Sequence, residues 1–202
     1  MSSFEDRRIR RSKMILRNAL INLLLEKELN EITISELTDY ADVNRGTFYS
    51  HYQDIFHLFS EIEQEVLNVI LKIIQPIFDD YSTWKHAVKD FLIYSQNNEQ
   101  LISIILRVNG SSFNDKIISI LHSSVESIDE ITFSEEKREY YEYLYVYCIT
   151  GIISIMQSWQ KRGHIHTIEE MTELIELLIL RTFPSLRKEE KKKESRSGLS
   201  HS

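Results

Sequence analysis

Glycine, proline and cysteine are scarce in this chain of 202 residues, which contains 5 Gly, 2 Pro and 1 Cys. Folds rich in β-turns, and nucleotide sites built on glycine loops, need many such residues, so the composition favours a mostly helical protein. The single Cys148 excludes an internal disulfide and a CxxC metal site, and its apolar neighbours indicate a small buried hydrophobic side chain.

Long apolar runs and catalytic signatures are also missing. No stretch approaches the roughly 18 to 20 apolar residues of a membrane span, and no apolar secretory segment follows the first residues. We therefore expect a cytoplasmic protein that does not bind membranes. GxSxG, P-loop and HExxH patterns are absent, so the sequence gives an enzymatic activity no support.

The net charge of −7 is distributed unevenly. Residues 1–20 contain six basic and two acidic side chains, a net charge of +4, so the acidic excess lies in the rest of the chain. A basic segment on an acidic body suits contact with a polyanion through one end of the molecule. The same cluster is equally compatible with a frayed terminus that only aids solubility. The basic residues are Arg7, Arg8, Arg10, Arg11, Lys13 and Arg17.

Helical spacing of apolar residues and frequent capping residues predict an all-α protein. Thr33 with Glu36, and Thr167 with Glu170, fit the capping box, and Asn44 fits an N-cap. Residues 185–202 are charged and serine-rich, which predicts a disordered tail. The predicted helices span about Arg11–Glu26, Thr33–Tyr40, Asn44–Tyr52, Asp54–Pro76, Thr83–Asn97, Glu99–Val108, Asn114–Ile131, Ser134–Lys161 and Ile168–Phe183.

The short helices near the N-terminus predict a helix-turn-helix arrangement, with a recognition helix at about residues 44–52. Phe48 and Tyr52 are four residues apart and can anchor that helix to the first one. Gly46 leaves room for close approach of a backbone. Hydroxyl, imidazole and guanidinium groups donate to phosphate oxygens, and arginine also reads guanine. The side chains left on the other faces include Arg45, Thr47, Tyr49 and His51.

These residues resemble the DNA-binding domain of the tetracycline-repressor (TetR) family. The resemblance covers about residues 10–70 and implies a two-domain, all-helical homodimer. Residues 1–70 would bind DNA, and residues 71–184 would bind an effector and dimerise. The matching string is Thr33-Ile34-x-x-Leu37-x-x-x-Ala41-x-Val43-x-Arg45-Gly46-Thr47-Phe48-Tyr49-x-His51-Tyr52, followed by Leu58.

The chain departs from the family pattern at three positions. Asp42 occupies a turn position that is usually glycine, and aspartate tolerates a left-handed backbone better than most residues. Ile55 replaces a lysine at the start of the fourth helix, which removes an expected phosphate contact. Tyr52 replaces a phenylalanine, a change that core packing can absorb.

The later helices offer candidate residues for an effector and for dimerisation. A pocket for an amphipathic or aromatic compound would draw on Phe91, Tyr94, Leu106, Phe113, Tyr143 and Trp159. Both C-terminal helices are apolar over wide arcs, which predicts pairing with a second subunit through Ile149, Ile152, Ile153, Ile155, Met156, Leu174, Leu177, Leu178 and Leu180. His164 and His166 lack a cysteine or an obvious carboxylate partner, so neither a metal nor a cofactor is predicted.

The sequence therefore predicts a sequence-specific transcriptional regulator, with a ligand-responsive repressor favoured. As a dimer it would bind a near-palindromic double-stranded operator. The resemblance implies DNA contacts by Thr33, Arg45, Gly46, Thr47, Tyr49 and His51. The alternative is a TetR-like coactivator or auxiliary protein that acts through a protein partner, an interpretation that the net acidity and Ile55 favour.

Overall fold

The computed structural model describes residues 3–79, 83–126 and 135–182. Every regular element in these ranges is helical, which confirms the predicted all-α class. A short 3₁₀ helix at Leu29–Glu31 follows the first α-helix. The α-helices are α1 Ser3–Leu23, α2 Ile34–Tyr40, α3 Arg45–Tyr49, α4 Ile55–Asp79, α5 Trp84–Asn97, α6 Glu99–Glu126, α7 Glu135–Lys161 and α8 Ile168–Thr182.

The chain divides into two compact units. The first contains Met1–Val69 and Gln100–Phe113, and the second contains Ile70–Glu99 and Asn114–Ser202. The first unit therefore takes in the N-terminal arm of α6 as well as the helix-turn-helix. The predicted tail, residues 185–202, lies outside the described residues.

The core of the first unit comes from apolar faces that the sequence pattern had indicated. Full burial of one such large side chain contributes about 1.5 to 3 kcal/mol to folding. Near its C-terminal end, α1 is held by Arg107 of α6, which donates to the carbonyl oxygen of Leu24 and pairs with Glu28 at 2.8 Å. The fully buried side chains of this core include Leu16, Leu20, Leu24, Leu37, Phe48, Leu58, Phe59 and Ile62.

The second unit has a smaller core, made by Leu92, Trp159, Met171 and Ile175 from α5, α7 and α8. The predicted capping box at the start of α8 is confirmed. Thr167 N–H donates to Glu170 Oε2 at 2.8 Å, and Glu170 N–H donates to Thr167 Oγ1 at 3.2 Å. The backbone donor of Thr167 lowers the pKa of Glu170.

Several predicted helix bounds were wrong. α1 begins at Ser3 rather than near Arg11, because a polar first stretch can continue a helix whose apolar stripe starts later. α4 continues three residues past Pro76. The break predicted after Val108, between helices at 99–108 and 114–131, is present as a kink within α6, where Asn109 leaves helical geometry (φ −133°, ψ 28°). Residues 127–131 lie outside the described residues.

Candidate nucleic-acid interface

Local hydrogen bonds define the corner between α2 and α3. Thr33 caps α2 by accepting from Glu36 N–H at 3.2 Å. The predicted capping box is only half formed, because the Glu36 carboxylate pairs with Lys27, which lowers the pKa of Glu36. The chain then reverses at Asp42 (φ 51°), and Val43 N–H donates to the carbonyl oxygen of Thr38 at 3.0 Å.

Asn44 fixes the start of α3, as predicted. Its side-chain oxygen accepts from Thr47 N–H at 2.7 Å and from the Thr47 hydroxyl at 3.1 Å. A Cβ atom on Gly46 would lie 3.2 Å from this oxygen, so glycine at this position leaves the cap undisturbed. α3 ends at Tyr49, and a further helical hydrogen bond joins Tyr52 N–H to Phe48 O at 2.9 Å.

Two aromatic rings anchor the helix, as the i,i+4 spacing predicted. Phe48 is 0% exposed and Tyr52 is buried, with their ring centroids 5.8 Å apart. The Tyr52 hydroxyl donates to Glu61 of α4 at 3.2 Å. Burial, followed by the Glu61 charge, raises the pKa of the Tyr52 phenol. These contacts fix which face of α3 points outward.

Of the predicted DNA-contact residues, Arg45, Gly46, Thr47 and Tyr49 lie on α3, Thr33 caps α2, and His51 follows α3. Tyr49 is 59% exposed. Arg45 is exposed, and its Nη2 donates to Ser35 Oγ at 2.5 Å. The Thr47 hydroxyl proton is already used by the cap. Thr33 and Gly46 are exposed as well.

His51 lies just past α3 and is tied to α1. Its Nε2 is 2.7 Å from Ser12 Oγ, which also donates to the carbonyl oxygen of Ile9 at 2.9 Å. Because the hydroxyl has one proton and a carbonyl oxygen can only accept, Ser12 must accept from Nε2–H.

The basic N-terminal segment forms part of α1, and two of its charges are paired with α4. Lys13 Nζ lies 2.8 Å from Glu61 Oε2, and Arg17 Nε lies 3.0 Å from Glu65 Oε2. Arg8 and Arg11 are exposed. The local positive charge available to a polyanion is therefore smaller than the sequence count indicated.

Sequence reasoning missed Ser12, Ser35, Glu61 and Glu65. The two glutamates are four residues apart, as are Lys13 and Arg17, so matched spacing was an available signal. Ser12 and Ser35 offered no comparable signal, because their partners lie 39 and 10 residues away in sequence.

The six effector candidates are divided between the units. Leu106 and Phe113 belong to the first unit, and Phe113 is buried. Phe91, Tyr94, Tyr143 and Trp159 belong to the second unit. In that unit Tyr143 is 66% exposed, whereas Trp159 is buried. The structure thus does not gather the six residues within one compact unit.

Trp159 borders a cleft of about 300 Å³ at the turn between α7 and α8. Its Nε1 donates to the carbonyl oxygen of His166 at 2.9 Å, and its ring meets that of His164 edge-on at 4.5 Å. His164 Nε2 lies 3.9 Å from Glu99 Oε2. Among the described residues, no three histidine, cysteine or acidic side chains are grouped as a metal site requires. Likewise, no helix in the described ranges has the length and apolar character needed to cross a membrane.

Known proteins resemble this chain in sequence. Residues 82–181 match the TetR model described as "Transcriptional regulator C-terminal region". The uncharacterized HTH-type transcriptional regulator YxbF of Bacillus subtilis is 21% identical over 148 residues, which is 66% of this chain. This match spans only 37% of the length of that relative.

Two solved structures share the fold. A TetR transcriptional regulator from Streptococcus agalactiae 2603V matches with a TM-score of 0.62 and 20% identity, over 89% of this chain and 99% of its own. The dihydroxyacetone kinase operon activator DhaS matches with a TM-score of 0.54 and 19% identity, over 86% of this chain and 96% of its own. An N-terminal helix-turn-helix followed by a helical C-terminal region is thus the architecture of this chain and of its structural neighbours.

Proposed function

We propose, because this chain belongs to the TetR family of transcriptional regulators, that it binds operator DNA directly and represses transcription until an effector releases it. Residues 1–70 supply the DNA-binding residues in this proposal, and residues 71–184 serve effector binding and dimerisation. In this proposal the protein acts in the cytoplasm, where the operator lies. It has no catalytic role.

The outward face of α3 is the observation that carries the proposal. Phe48 and Tyr52 are buried beneath this helix, so Arg45 and Tyr49 project on its free side. A phenol hydroxyl donates to a phosphate oxygen, and a guanidinium group donates either to phosphate or to the O6 and N7 atoms of guanine. We assign Thr33, Gly46, Thr47 and His51 to the edges of the same interface.

Dimerisation would involve exposed apolar side chains on α7 and α8. Of the residues that the sequence indicated, Ile149, Ile153 and Met156 are buried within the chain, whereas Leu174 and Leu177 are exposed. The exposed candidates are Tyr143, Val146, Tyr147, Leu174 and Leu177. A two-fold pairing of these helices would bury both stripes and present two recognition helices to successive major grooves, about 34 Å apart.

An effector would act by a shift of population. The effector would bind more tightly to dimers whose recognition helices are spaced differently from those of the DNA-bound dimer. The loss of operator affinity is then set by the ratio of the effector's affinities for the two forms. The aromatic side chains of the second unit suit an amphipathic or aromatic compound. Phe91, Tyr94 and Trp159 are the first residues to substitute in a search for it.

The first experiment is a mobility-shift assay with the purified full-length protein and its own upstream DNA. The matched variants are Tyr49→Phe and Tyr40→Phe, since both tyrosines are exposed and belong to the helix-turn-helix unit. Loss of one charge-assisted hydrogen bond of about 1.5 kcal/mol in each half-site lowers the affinity of a dimer on the order of a hundredfold. We expect this loss for Tyr49→Phe alone. Wild-type affinity in Tyr49→Phe would contradict the assigned interface.

A coactivator that acts through a protein partner is the second candidate. Ile55 is 5% exposed at the start of α4 and provides no charge for phosphate, and α4 carboxylates pair with two cations of α1. If the purified protein does not shift DNA by itself, this candidate is favoured. Deletion of the gene distinguishes the direction of regulation, because transcription of the target rises after loss of a repressor and falls after loss of an activator.

A further inference from the structure

Arg45, the first residue of α3, is linked to α2 by a single side-chain hydrogen bond. Its Nη2 lies 2.5 Å from Ser35 Oγ. Ser35 is in the first turn of α2, and the two residues are ten positions apart. The bond therefore crosses the corner of the helix-turn-helix.

The direction of this bond is fixed by chemistry. A guanidinium group only donates, so Ser35 Oγ accepts. The serine proton is then free to point at Asp39 Oδ2, which lies 3.5 Å away, one turn further along α2. The Asp39 carboxylate adds negative potential behind the serine, and this favours the guanidinium in its observed position.

The bond leaves most of the arginine available. A guanidinium group has five N–H donors, and Ser35 takes one of them. Ser35 is the only partner of the Arg45 side chain within the part of the chain that the structure describes. The four remaining donors include the geometry needed for a bidentate contact with guanine.

Orientation matters because an unrestrained arginine loses much rotamer freedom when it reads a base. An arginine side chain that is already hydrogen-bonded to α2 loses less rotamer freedom when it contacts a base. Phosphate contacts, by contrast, tolerate several orientations and carry no sequence information. The hydrogen bond between Ser35 and Arg45 should therefore affect discrimination between DNA sequences rather than general affinity for DNA.

We propose that Ser35 is a positioning residue that orients Arg45 for base readout and thereby sets the sequence specificity of the protein. This inference rests on the proposed function, since it requires direct operator binding. In the opposite case the same hydrogen bond would hold Arg45 away from the groove, and removal of the serine hydroxyl would then strengthen operator binding.

The test begins with selection of preferred sites from random duplex DNA by the purified full-length protein. Affinities for the selected operator and for a scrambled duplex are then measured for wild type, Ser35→Ala, Ser35→Thr, Arg45→Ala and the double variant Ser35→Ala/Arg45→Ala. Ser60→Ala is the matched control, because Ser60 is an exposed serine of α4 in the same unit. Thermal melting of each variant verifies that it is folded.

We expect Ser35→Ala to lose about fivefold in operator affinity per half-site, roughly 25-fold for a dimer, as one long side chain regains its freedom. Affinity for the scrambled duplex and the salt dependence should stay unchanged. Ser35→Thr should keep specificity, and Ser60→Ala should match wild type. The double variant should equal Arg45→Ala, because Ser35 acts only through that side chain.

Three results would overturn the proposal in distinguishable ways. Wild-type or higher operator affinity in Ser35→Ala, with a clear loss in Arg45→Ala, rejects the positioning role alone. Unchanged operator affinity in Arg45→Ala rejects base readout by Arg45, and therefore also rejects any role for its hydrogen bond with Ser35. Failure of the wild-type protein to select any sequence rejects direct operator binding and therefore the proposed function itself.

Discussion

Asp42 adopts a left-handed backbone conformation between α2 and α3, with φ of 51°. For residues with a Cβ atom this conformation costs roughly 1 to 2 kcal/mol, and aspartate lowers the cost through local hydrogen bonding. The family pattern places glycine here, a residue that enters this region freely. The turn thus holds a non-glycine residue in the left-handed region and stores a small amount of strain.

Asp42→Gly should therefore increase the free energy of unfolding by up to about 1 kcal/mol, since glycine relieves more strain than it costs in unfolded-state entropy. Asp39→Gly is the control, because it places glycine at a helical position and should lower the same quantity. Urea unfolding followed by circular dichroism measures both. A decrease in Asp42→Gly would show that the aspartate side chain stabilises the turn by more than the strain it causes.

At the scale of the element, α1 and α4 are joined by two parallel ion pairs, Lys13 with Glu61 and Arg17 with Glu65. The carboxylates of Glu61 and Glu65 lie on α4, the helix that follows α3. They neutralise part of the basic segment and leave Arg8 and Arg11 exposed on the same helix. Only some of the charges on α1 are therefore available to a phosphate backbone.

The salt dependence of operator binding tests this division. Each charge that neutralises a phosphate contributes about 0.9 to the slope of log affinity against log salt. Lys13→Gln/Arg17→Gln should leave the slope unchanged and reduce stability by less than about 1 kcal/mol per pair, because the pairs are partly exposed. Arg8→Gln/Arg11→Gln should make the slope shallower. Equal slopes for both double variants would show that the paired and the exposed cations contribute alike to DNA binding.

Local signals in the sequence predicted several elements well. Asn44 capped α3, and Thr167 and Glu170 formed their box, because each of these caps depends on residues within one turn. The half-formed box at Thr33 failed because Glu36 found a stronger partner in Lys27, nine residues away. The hydrogen bond between Arg45 and Ser35 could not be predicted from the sequence either. It joins residues ten positions apart and depends on how α2 and α3 cross.

At the scale of the whole molecule, exposed apolar side chains remain on both C-terminal helices. Tyr147 is 62% exposed and Leu177 is 48% exposed, whereas Met171 and Ile175 of α8 are buried. One face of α8 therefore packs within the second unit, and a different face presents leucines outward. Exposed apolar stripes of this kind are typical of surfaces that pair with another chain.

Leu177→Glu should convert the proposed dimer into a monomer at micromolar concentration, because two-fold pairing would bury the new carboxylate twice. Ile165→Glu is the control, since Ile165 is an exposed apolar residue in the turn before α8. Sedimentation equilibrium measures the mass. We expect operator affinity to fall with the dimer fraction, so an intact Leu177→Glu dimer would place the interface elsewhere.

The first compact unit is assembled from two separated stretches, residues 1–69 and 100–113. On the ribosome, which adds roughly 5 to 20 residues per second, the 38 residues from 70 to 107 take about 2 to 8 s. During that interval the nascent segment has every recognition residue but lacks Arg107, which holds the end of α1. A premature stop codon in this stretch would therefore release a polypeptide with a complete recognition sequence and an unfinished fold.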